Sequence, residues 1–299
     1  MNIRILKNNE IDKIKWDSKL NESKIDHFFL YSWVWDMLHP DWNALVIDDY
    51  ETFMPLPVKK KMGLVYYFQP MFIREISFFS EKEDRNQLLF EFIEQNLKLV
   101  NLNLNTQLGI SKIQGNYQEL SIENNYETIS KGYKTNTRRI LKKNDQNISM
   151  KFDLSVDEFL SFFKKVKEDD ISHLNSKTLV RLSNFLHEVK NRNKAILVGA
   201  YLNNDLISAA YFIENKKTLY FMKGTSNSIG RKEGALFHII DFIIKSKCQN
   251  ITKIDFVGSN NTAIADFYKK FGAIDKNYQV FKWNQLKGPF KIIVDFLKK

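Results

Sequence analysis

Three apolar runs in series, between Lys194 and Thr225, constrain the fold more than any other part of the sequence. The turn signals LNND and ENKK separate the runs KAILVGAY, LISAAYFI and TLYFMKGT. Short apolar runs joined by Asn-containing turns are typical of neighbouring antiparallel strands. Two amphipathic helical patterns precede these strands, and a helix, a strand, a second helix and a last strand follow them. The resulting order, ααβββαβαβ, predicts an α/β fold built on a mixed (α+β) sheet.

The first half of the chain has a similar mixture of helix and strand signals. Apolar runs occur in WNALVIDD and in MPLPVKKKMGLVYYFQPMF, and RNQLLFEFIEQNLKLV has apolar residues at helical spacing. A chain of 299 residues is long enough for two domains with separate cores. We therefore expect an N-terminal domain over residues 1–130, a basic connecting helix over 131–150 and a C-terminal domain over 151–299.

The composition argues against several classes of protein. Cys248 is the single cysteine, which excludes an internal disulfide and suits a reducing compartment. No apolar run approaches the length that crosses a bilayer, and the charged N-terminus lacks a signal-peptide core. The histidines lack metal-ligand spacing, and neither a Gly-x-Ser-x-Gly elbow nor a P-loop is present. These features predict a cytoplasmic protein without a metal site.

The net charge of +10 favours an anionic partner, such as nucleic acid, a phosphorylated cofactor or an acidic membrane surface. Basic residues are concentrated in GYKTNTRRILKKN, where Thr135 or Asn136 would cap a short helix. Two interpretations stay open for this helix: a solvated connection between domains, or an anion-binding surface at the interdomain cleft. In the second interpretation, Arg138 and Arg139 are substrate-binding candidates.

The stretch GSNNTAIADFYKKFGA, residues 258–273, places polar residues where a strand gives way to a helix. Asn261 is suited to cap that helix, and Tyr268 follows two turns later on the same face. A second such junction follows the third strand of the meander, in the glycine-bearing segment SNSIGRKEGAL. Loops of this kind hold phosphates, because free backbone N–H groups and the helix dipole point into them.

These motifs together resemble the GNAT acyltransferase superfamily. Asn261, Tyr268 and Gly272 match the N-x(6)-Y-x(3)-G pattern of its helix after the fifth strand. The sequence is more similar to the FemAB-like branch, which carries two tandem GNAT-like domains. KIDFVGSNNTAIADFYKKFGA resembles that branch's strand-loop-helix signature, GYKTNTRRILKKN its basic helix, and MPLPVKKKMGLVYYFQPMF a first-domain hairpin. The resemblance covers most of residues 40–285.

The resemblance implies roles for individual residues. Tyr268 would act as the general acid that protonates a departing thiolate or ribose oxygen, and Asp255 resembles the Asp of the branch's DF-x-G strand. Asn261 would orient the donor or cap its helix, and Lys223 would steady an oxyanion or a phosphate. The implied donor-binding residues are Ser226, Arg231, Gly234 and Ala235. A salt bridge or a strand-end charge remains the alternative for Asp255 and Lys223.

One departure from the GNAT pattern affects the donor. The donor loop of that superfamily follows Gln/Arg-x-x-Gly-x-Gly/Ala, and Arg231 to Leu236 is its best match here. Leu236 stands where a small residue is expected, and a bulky side chain hinders close approach of the backbone to a pyrophosphate. An acetyl-CoA site is therefore weakened, as in the FemAB-like branch, where this loop is often degraded.

Three functions remain open at this point. The first is N-acyl transfer from acetyl-CoA or a longer acyl-CoA to an amine. The second is Fem-type transfer of an amino acid from aminoacyl-tRNA, for instance to a cell-wall-precursor amine. The third is a non-catalytic binding protein of the same fold. The tail KGPFKIIVDFLKK predicts a short amphipathic helix beginning near Gly288, and we expect its apolar stripe to dock on the protein's own body. Peripheral membrane contact is the minor alternative.

Overall fold

The chain divides into two compact units. A computed structural model describes residues 2–61, 63–82, 85–105, 113–144, 148–152, 154–166, 176–257, 260–288 and 291. The first unit comprises Met1–Gly115 together with Asn277–Lys299, and the second comprises Asn116–Lys276. The predicted tail helix lies outside the described residues, apart from its first positions.

The first unit alternates helices and strands. Its elements are β1 (Ile3–Leu6), α1 (Lys13–Glu22), α2 (Ser32–Leu38), β2 (Trp42–Ile47), β3 (Thr52–Lys61), β4 (Leu64–Phe68), β5 (Phe79–Ser80), α3 (Arg85–Asn96) and β6 (Leu99–Leu104). The last strand of the chain, β13 (Ile274–Asn284), joins them. Trp16, Trp35 and Trp42 are fully buried, and Trp16 also donates its indole N–H to the Leu30 carbonyl at 2.8 Å. The tryptophans are therefore core residues, as their apolar area predicts.

The second unit begins within β7 (Gln114–Ser121) and contains the remaining elements. They are α4 (Tyr126–Lys131), α5 (Thr135–Asn144), β8 (Ile148–Lys151), α6 (Val156–Val166), α7 (Ser176–Asn191), β9 (Ala195–Leu202), β10 (Asp205–Asn215), β11 (Thr218–Ser226), α8 (Ser228–Glu233), α9 (Ala235–Lys247), β12 (Lys253–Asp255) and α10 (Thr262–Lys269). One face of its sheet packs against α9 through a cluster that includes Phe212, Phe221, Ile240 and Ile243.

The two units repeat one strand order. In the first, β1-β2-β3-β4-β6-β13 is antiparallel except for the parallel pair β4–β6. In the second, β8-β9-β10-β11-β12-β7 is antiparallel except for the parallel pair β11–β12. The final strand of each order comes from the other half of the sequence. For this reason the boundaries of the two units differ from those of the expected domains, 1–130 and 151–299. Helix α5, expected as a connection, lies within the second unit.

The predicted meander forms through the turns that the sequence indicates. Asn203 and Asn204 both have positive φ, 51° and 69°, and they join β9 to β10. Two consecutive residues of this kind make the hairpin turn whose twist matches that of the strands, and Asn tolerates the conformation better than most residues. The antiparallel pairing of β9, β10 and β11 confirms the predicted meander.

Two irregularities in β11 open the sheet of the second unit. The parallel pairing with β12 covers only Thr218–Tyr220 against Lys253–Asp255, so residues 221–226 extend beyond it. On its other side, the register with β10 shifts between Phe221 and Lys223, which leaves Met222 as a bulge. Bulges redirect a strand and concentrate beside functional sites. Strand β12 ends at Asp255, so its pairing with β11 stops at Tyr220.

No helix within the described part of the chain is both long and apolar enough to cross a membrane.

Gly230 has no room for a side chain, which gives a test of the packing of α8. A Cβ atom at this position would lie 2.1 Å from the carbonyl oxygen of Ile207. Because that oxygen belongs to the β10 backbone, it cannot move aside without disturbing the sheet. We expect Gly230→Ala to lower the melting temperature by about 4 °C or more.

Ser228→Ala, an exposed position in the same helix, is the matched control and should shift the melting temperature by less than about 2 °C. Equal melting temperatures for the two variants would contradict the described packing of α8.

Candidate functional site

The basic helix α5 is anchored to the end of α10 by two hydrogen bonds to one carbonyl. The Lys270 carbonyl accepts from the Lys134 backbone N–H at 2.9 Å and from the Thr137 hydroxyl at 3.2 Å. Thr137 is fully buried, and Tyr133 meets Phe271 edge-on with ring centroids 5.3 Å apart. These contacts fix the start of α5, so its orientation within the second unit is determined by packing and not by charge.

Arg138 supports the backbone where the sequence predicts substrate binding. Its guanidinium donates to the carbonyls of Lys131 at 2.9 Å and Tyr133 at 2.8 Å. These carbonyls lie at the end of α4, where the last carbonyls of a helix lack intrahelical partners. The structure therefore assigns Arg138 to the termination of α4.

The other cations of α5 point outward. Arg139, Lys142 and Lys143 are exposed, and none of them forms an ion pair with any residue that the structure describes. Near them, the Lys270 ammonium lies 5.6 Å from the centroid of the Phe237 ring in the first turn of α9. This cationic surface is available to an anion without first breaking a salt bridge, which keeps the desolvation cost of binding low.

The segment predicted to bind the donor is largely occupied by contacts within the protein. Asn227 caps α8, because its side-chain oxygen accepts from the Gly230 N–H at 2.8 Å. Arg231 donates from its guanidinium to the Ser226 carbonyl at 2.9 Å. The Ser208 hydroxyl donates to the Thr225 carbonyl, so the Ser226 hydroxyl is the donor in their mutual 2.8 Å bond. Ser226 and Arg231 are thus both engaged locally.

Gly234 and Ala235 begin α9 against the side of α5. Gly234 has φ of 69°, and a Cβ there would come within 2.5 Å of the Ile140 side chain. Both the backbone conformation and the space therefore require glycine. Ala235 is fully buried in the core, and Leu236 packs against the same core. The helix terminus expected to receive a pyrophosphate is thus bordered by an apolar side chain of α5.

Tyr268 packs in the core just past the end of the β11–β12 pairing. Its ring stacks on Phe256 with centroids 4.1 Å apart and meets Phe221 edge-on at 5.9 Å. The residue is 8% exposed, and this burial raises the pKa of its phenol well above the ordinary value. A phenol with a raised pKa stays protonated at neutral pH, so Tyr268 holds a proton that only a strongly basic leaving group could take.

Asp255 and Tyr268 occupy different faces of the sheet. Ile254 and Phe256 belong to the core cluster of Tyr268, and because side chains alternate along a strand, Asp255 points to the opposite side. Its carboxylate accepts from the Val257 N–H at 2.7 Å and so stabilises the positive φ of 51° at that residue. The structure does not bring the two predicted catalytic residues together.

Asn261 and Lys223 lie at the surface near these elements. The Asn261 side chain accepts from the N–H groups of Ala263 at 3.0 Å and Ile264 at 3.3 Å, which makes it the predicted cap of α10. Lys223 is exposed on β11 immediately after the bulge. Capping occupies the Asn261 oxygen, so its role in positioning a donor stays a prediction.

Sequence reasoning missed a carboxylate in the middle of α9. Asp241 interrupts the apolar run ALFHIIDFIIKSK, and the Tyr126 hydroxyl donates to it at 2.9 Å. Burial raises the pKa of the Asp241 carboxyl, although the bond from Tyr126 opposes that rise. A single acidic residue within an apolar helical run is the sequence feature that could have identified Asp241. The bulge at Met222 has no such sequence feature, because it arises from the register between β10 and β11.

Within the described residues, no group of three or more His, Cys, Asp or Glu side chains is arranged to hold a metal ion.

Comparisons with known proteins identify the fold. No protein-family model matches the sequence, and no curated protein sequence matches it. Among solved structures, FemX superimposes with a TM-score of 0.68 at 13% identity, covering 99% of this chain and 100% of that one. L-PGS from Bacillus licheniformis gives a TM-score of 0.55 at 12% identity, with 96% of each chain covered. A GNAT-family acetyltransferase from Colwellia psychrerythraea gives 0.53 at 12% identity, covering 94% and 99%.

At these identities the likeness concerns the fold. It extends over nearly the whole chain in each case, and the repeated strand order of the two units agrees with it. The predicted α/β fold is confirmed: this chain has the tandem GNAT-like fold that it shares with FemX.

Proposed function

We propose that this protein transfers an aminoacyl group from an aminoacyl-tRNA to an amine acceptor. The observation that carries the proposal is the position of α5 against the start of α9. Ile140 borders Gly234, while Arg139, Lys142 and Lys143 are exposed and unpaired among the described residues. A polyanion such as RNA would meet these cations where a GNAT donor loop would otherwise hold the pyrophosphate of a nucleotide.

The loop contacts favour RNA over acyl-CoA as the donor. A pyrophosphate needs free backbone N–H groups and small side chains around them. Here Leu236 stands at the position for a small residue, Arg231 is turned toward the Ser226 carbonyl, and Ala235 is fully buried. Binding of acyl-CoA would have to displace several of these contacts, whereas RNA would use the outer face of α5.

The cations of α5 have the chemistry for a phosphate backbone. Arg139 offers a planar fork that binds phosphate through two hydrogen bonds, and Lys142 and Lys143 act as point charges. Phosphate neutralisation releases counterions, so this kind of binding is strong at low salt and weakens steeply as salt rises. Two solved structures that share the fold are named FemX and L-PGS, and the sequence itself resembles the Fem-type branch, which supports aminoacyl transfer as a candidate.

Tyr268 would complete the reaction as its acid. The acceptor amine attacks the ester carbonyl of the aminoacyl group, an N–C bond forms and the C–O bond to the ribose breaks. The departing ribose oxygen takes the proton of the Tyr268 phenol, and the phenolate recovers a proton from the ammonium of the new amide. The raised pKa of Tyr268 favours the second transfer, because its phenolate takes up a proton readily, whereas the first transfer depends on the strong basicity of the departing ribose oxygen.

N-acyl transfer from acyl-CoA is the second candidate, and a specific observation favours it. Residues 221–226 of β11 extend beyond their pairing with β12, and the bulge at Met222 redirects their backbone. An open strand edge of this kind can receive an extended chain by adding hydrogen bonds along the strand. The pantetheine arm of a CoA thioester would fit that description.

Measurements of tRNA binding distinguish the two candidate donors. We expect the triple variant Arg139→Gln, Lys142→Gln, Lys143→Gln to bind tRNA at least about tenfold more weakly at 50 mM salt. Its slope of log affinity against log salt should fall by about 2, because up to three phosphate contacts are lost. Fluorescence anisotropy with labelled tRNA at several salt concentrations measures both quantities.

The matched control removes three exposed lysines from other helices of the same unit: Lys164→Gln, Lys165→Gln, Lys190→Gln. It has a similar change in net charge and should bind tRNA within about twofold of the wild type. If acetyl-CoA raises the melting temperature and tRNA binds neither protein, the second candidate replaces the first.

A further prediction concerns Tyr268. We expect Tyr268→Phe to lower kcat by at least about tenfold with little change in KM, because a general acid acts in the transition state. The assay follows labelled amino acids from a pool of aminoacyl-tRNAs to a cell-wall precursor that carries a primary amine. The melting temperature should change little, because the phenylalanine ring keeps the stack on Phe256.

Tyr211→Phe is the opposing control. Tyr211 is also buried, and its hydroxyl donates to the Leu186 carbonyl at 2.7 Å on the other face of the sheet. Loss of this hydrogen bond should lower the free energy of unfolding by about 1 kcal/mol and leave kcat unchanged. Full activity of Tyr268→Phe would remove this residue from the acid role.

A further inference from the structure

The hairpin of β3 and β4 in the first unit carries a row of exposed lysines. Lys59, Lys60 and Lys61 end β3, and they pair with Tyr66, Val65 and Leu64 of β4. Strand β4 pairs with β6 only at Tyr67 and Phe68, so the ribbon formed by 59–61 and 64–66 runs past that pairing. A two-stranded ribbon of this kind exposes both of its faces.

Both faces of the ribbon combine cations with apolar groups. Residues opposite each other in an antiparallel pair share a face, so Lys59 lies beside Tyr66 and Lys60 lies beside Val65. The Lys59 ammonium also lies 4.3 Å from the centroid of the Phe68 ring. Val65 is 43% exposed, which leaves an aliphatic side chain in water between two lysine-bearing positions.

Three more lysines lie at the same end of this sheet. The pairing of Tyr67 with Val100 puts Lys98 level with Val65, two residues earlier on each strand. The Gln285 N–H donates to the Lys98 carbonyl at 2.7 Å, and Asn284 donates to the Lys291 carbonyl at 3.2 Å, which brings the segment with Lys287 and Lys291 to this end.

These six residues form one basic rim of the first unit: Lys59, Lys60, Lys61, Lys98, Lys287 and Lys291. All six are exposed, and none makes an ion pair with a residue that the structure describes. Glu94 is an exposed acid nearby, since its carbonyl accepts from Gln285 at 3.4 Å. The rim therefore carries a clear excess of positive charge.

We propose that the basic rim docks on the surface of a membrane that contains anionic phospholipid. The lysines would meet the phosphate headgroups, and Val65 and Tyr66 would enter the interfacial layer beside them. Each lysine near such a surface strengthens binding about fivefold, so three neighbouring lysines contribute about 100-fold. The exposed valine adds apolar area that only a partner with an apolar layer can bury.

Residue chemistry favours lipid over RNA at this rim. The cations are all lysines, which act as hydrated point charges suited to a diffuse field of headgroups. Selective contact with nucleic acid draws on arginine forks beside stacked aromatic rings, and although the ribbon carries Tyr66, the rim has no arginine. An exposed aliphatic residue contributes nothing to a phosphate backbone. The proposal shares no residue with the tRNA surface on α5, so either can fail without the other.

The test uses the full chain and sedimentation with vesicles. We expect the protein to pellet with phosphatidylcholine vesicles containing about 30 mol% phosphatidylglycerol and to remain in solution with phosphatidylcholine alone. Lys59→Gln, Lys60→Gln, Lys61→Gln should lower the partition coefficient about 10- to 100-fold at about 0.1 M salt. Val65→Ser should lower it about two- to fivefold, with the salt dependence unchanged.

Two controls with the same number of neutralised cations make the result specific. The triple variants at Lys164, Lys165 and Lys190 and at Arg139, Lys142 and Lys143 should each pellet within about twofold of the wild type. Unchanged melting temperatures show that every variant is folded. Equal pelleting of the ribbon variant and the wild type would overturn the proposal. Loss of tRNA affinity by the ribbon variant, with no loss of vesicle binding, would identify the rim as an RNA surface instead.

Discussion

The stack of Tyr268 on Phe256, just past the three residues that pair β11 with β12, is the contact on which the second unit depends. It packs α10 against the core where that pairing ends. That packing fixes α10, whose last turn leads to the Lys270 carbonyl. The same carbonyl holds the start of α5 through Lys134 and Thr137. The cationic surface of α5 is therefore positioned by an aromatic contact made several elements away.

Local chemistry explains which features the sequence could predict. Asn203 and Asn204 form the expected hairpin because their backbone preference suffices for the turn, and Asn261 caps α10 because a cap needs only the next few residues. Gly234 behaves differently, because the space around it is set by Ile140, ninety-odd residues earlier. Spacing within a motif carries no information about that contact.

The boundaries of the two units follow from the same distinction between local and distant contacts. Each unit takes the last strand of its sheet from the opposite half of the sequence, so β7 pairs with β12 and β13 pairs with β6. Apolar periodicity identifies these segments as strands and says nothing about their partners. Placing a boundary by composition therefore separates strands from the sheet that they complete. The basic helix, expected as a connection, belongs to the core of one unit for the same reason.

The two cationic surfaces differ in a way that suits different anions. On α5, Arg139 stands beside lysines on a rigid helix whose orientation is fixed by buried contacts. A preorganised guanidinium suits phosphates at defined positions along an RNA backbone. The rim of the first unit carries lysines on a ribbon with an exposed valine, and flexible point charges suit headgroups that have no fixed pattern. The net charge of +10 would then serve two different anions. Helix α5 would bind phosphates at defined positions on the donor, and the rim would bind a surface through its charge alone.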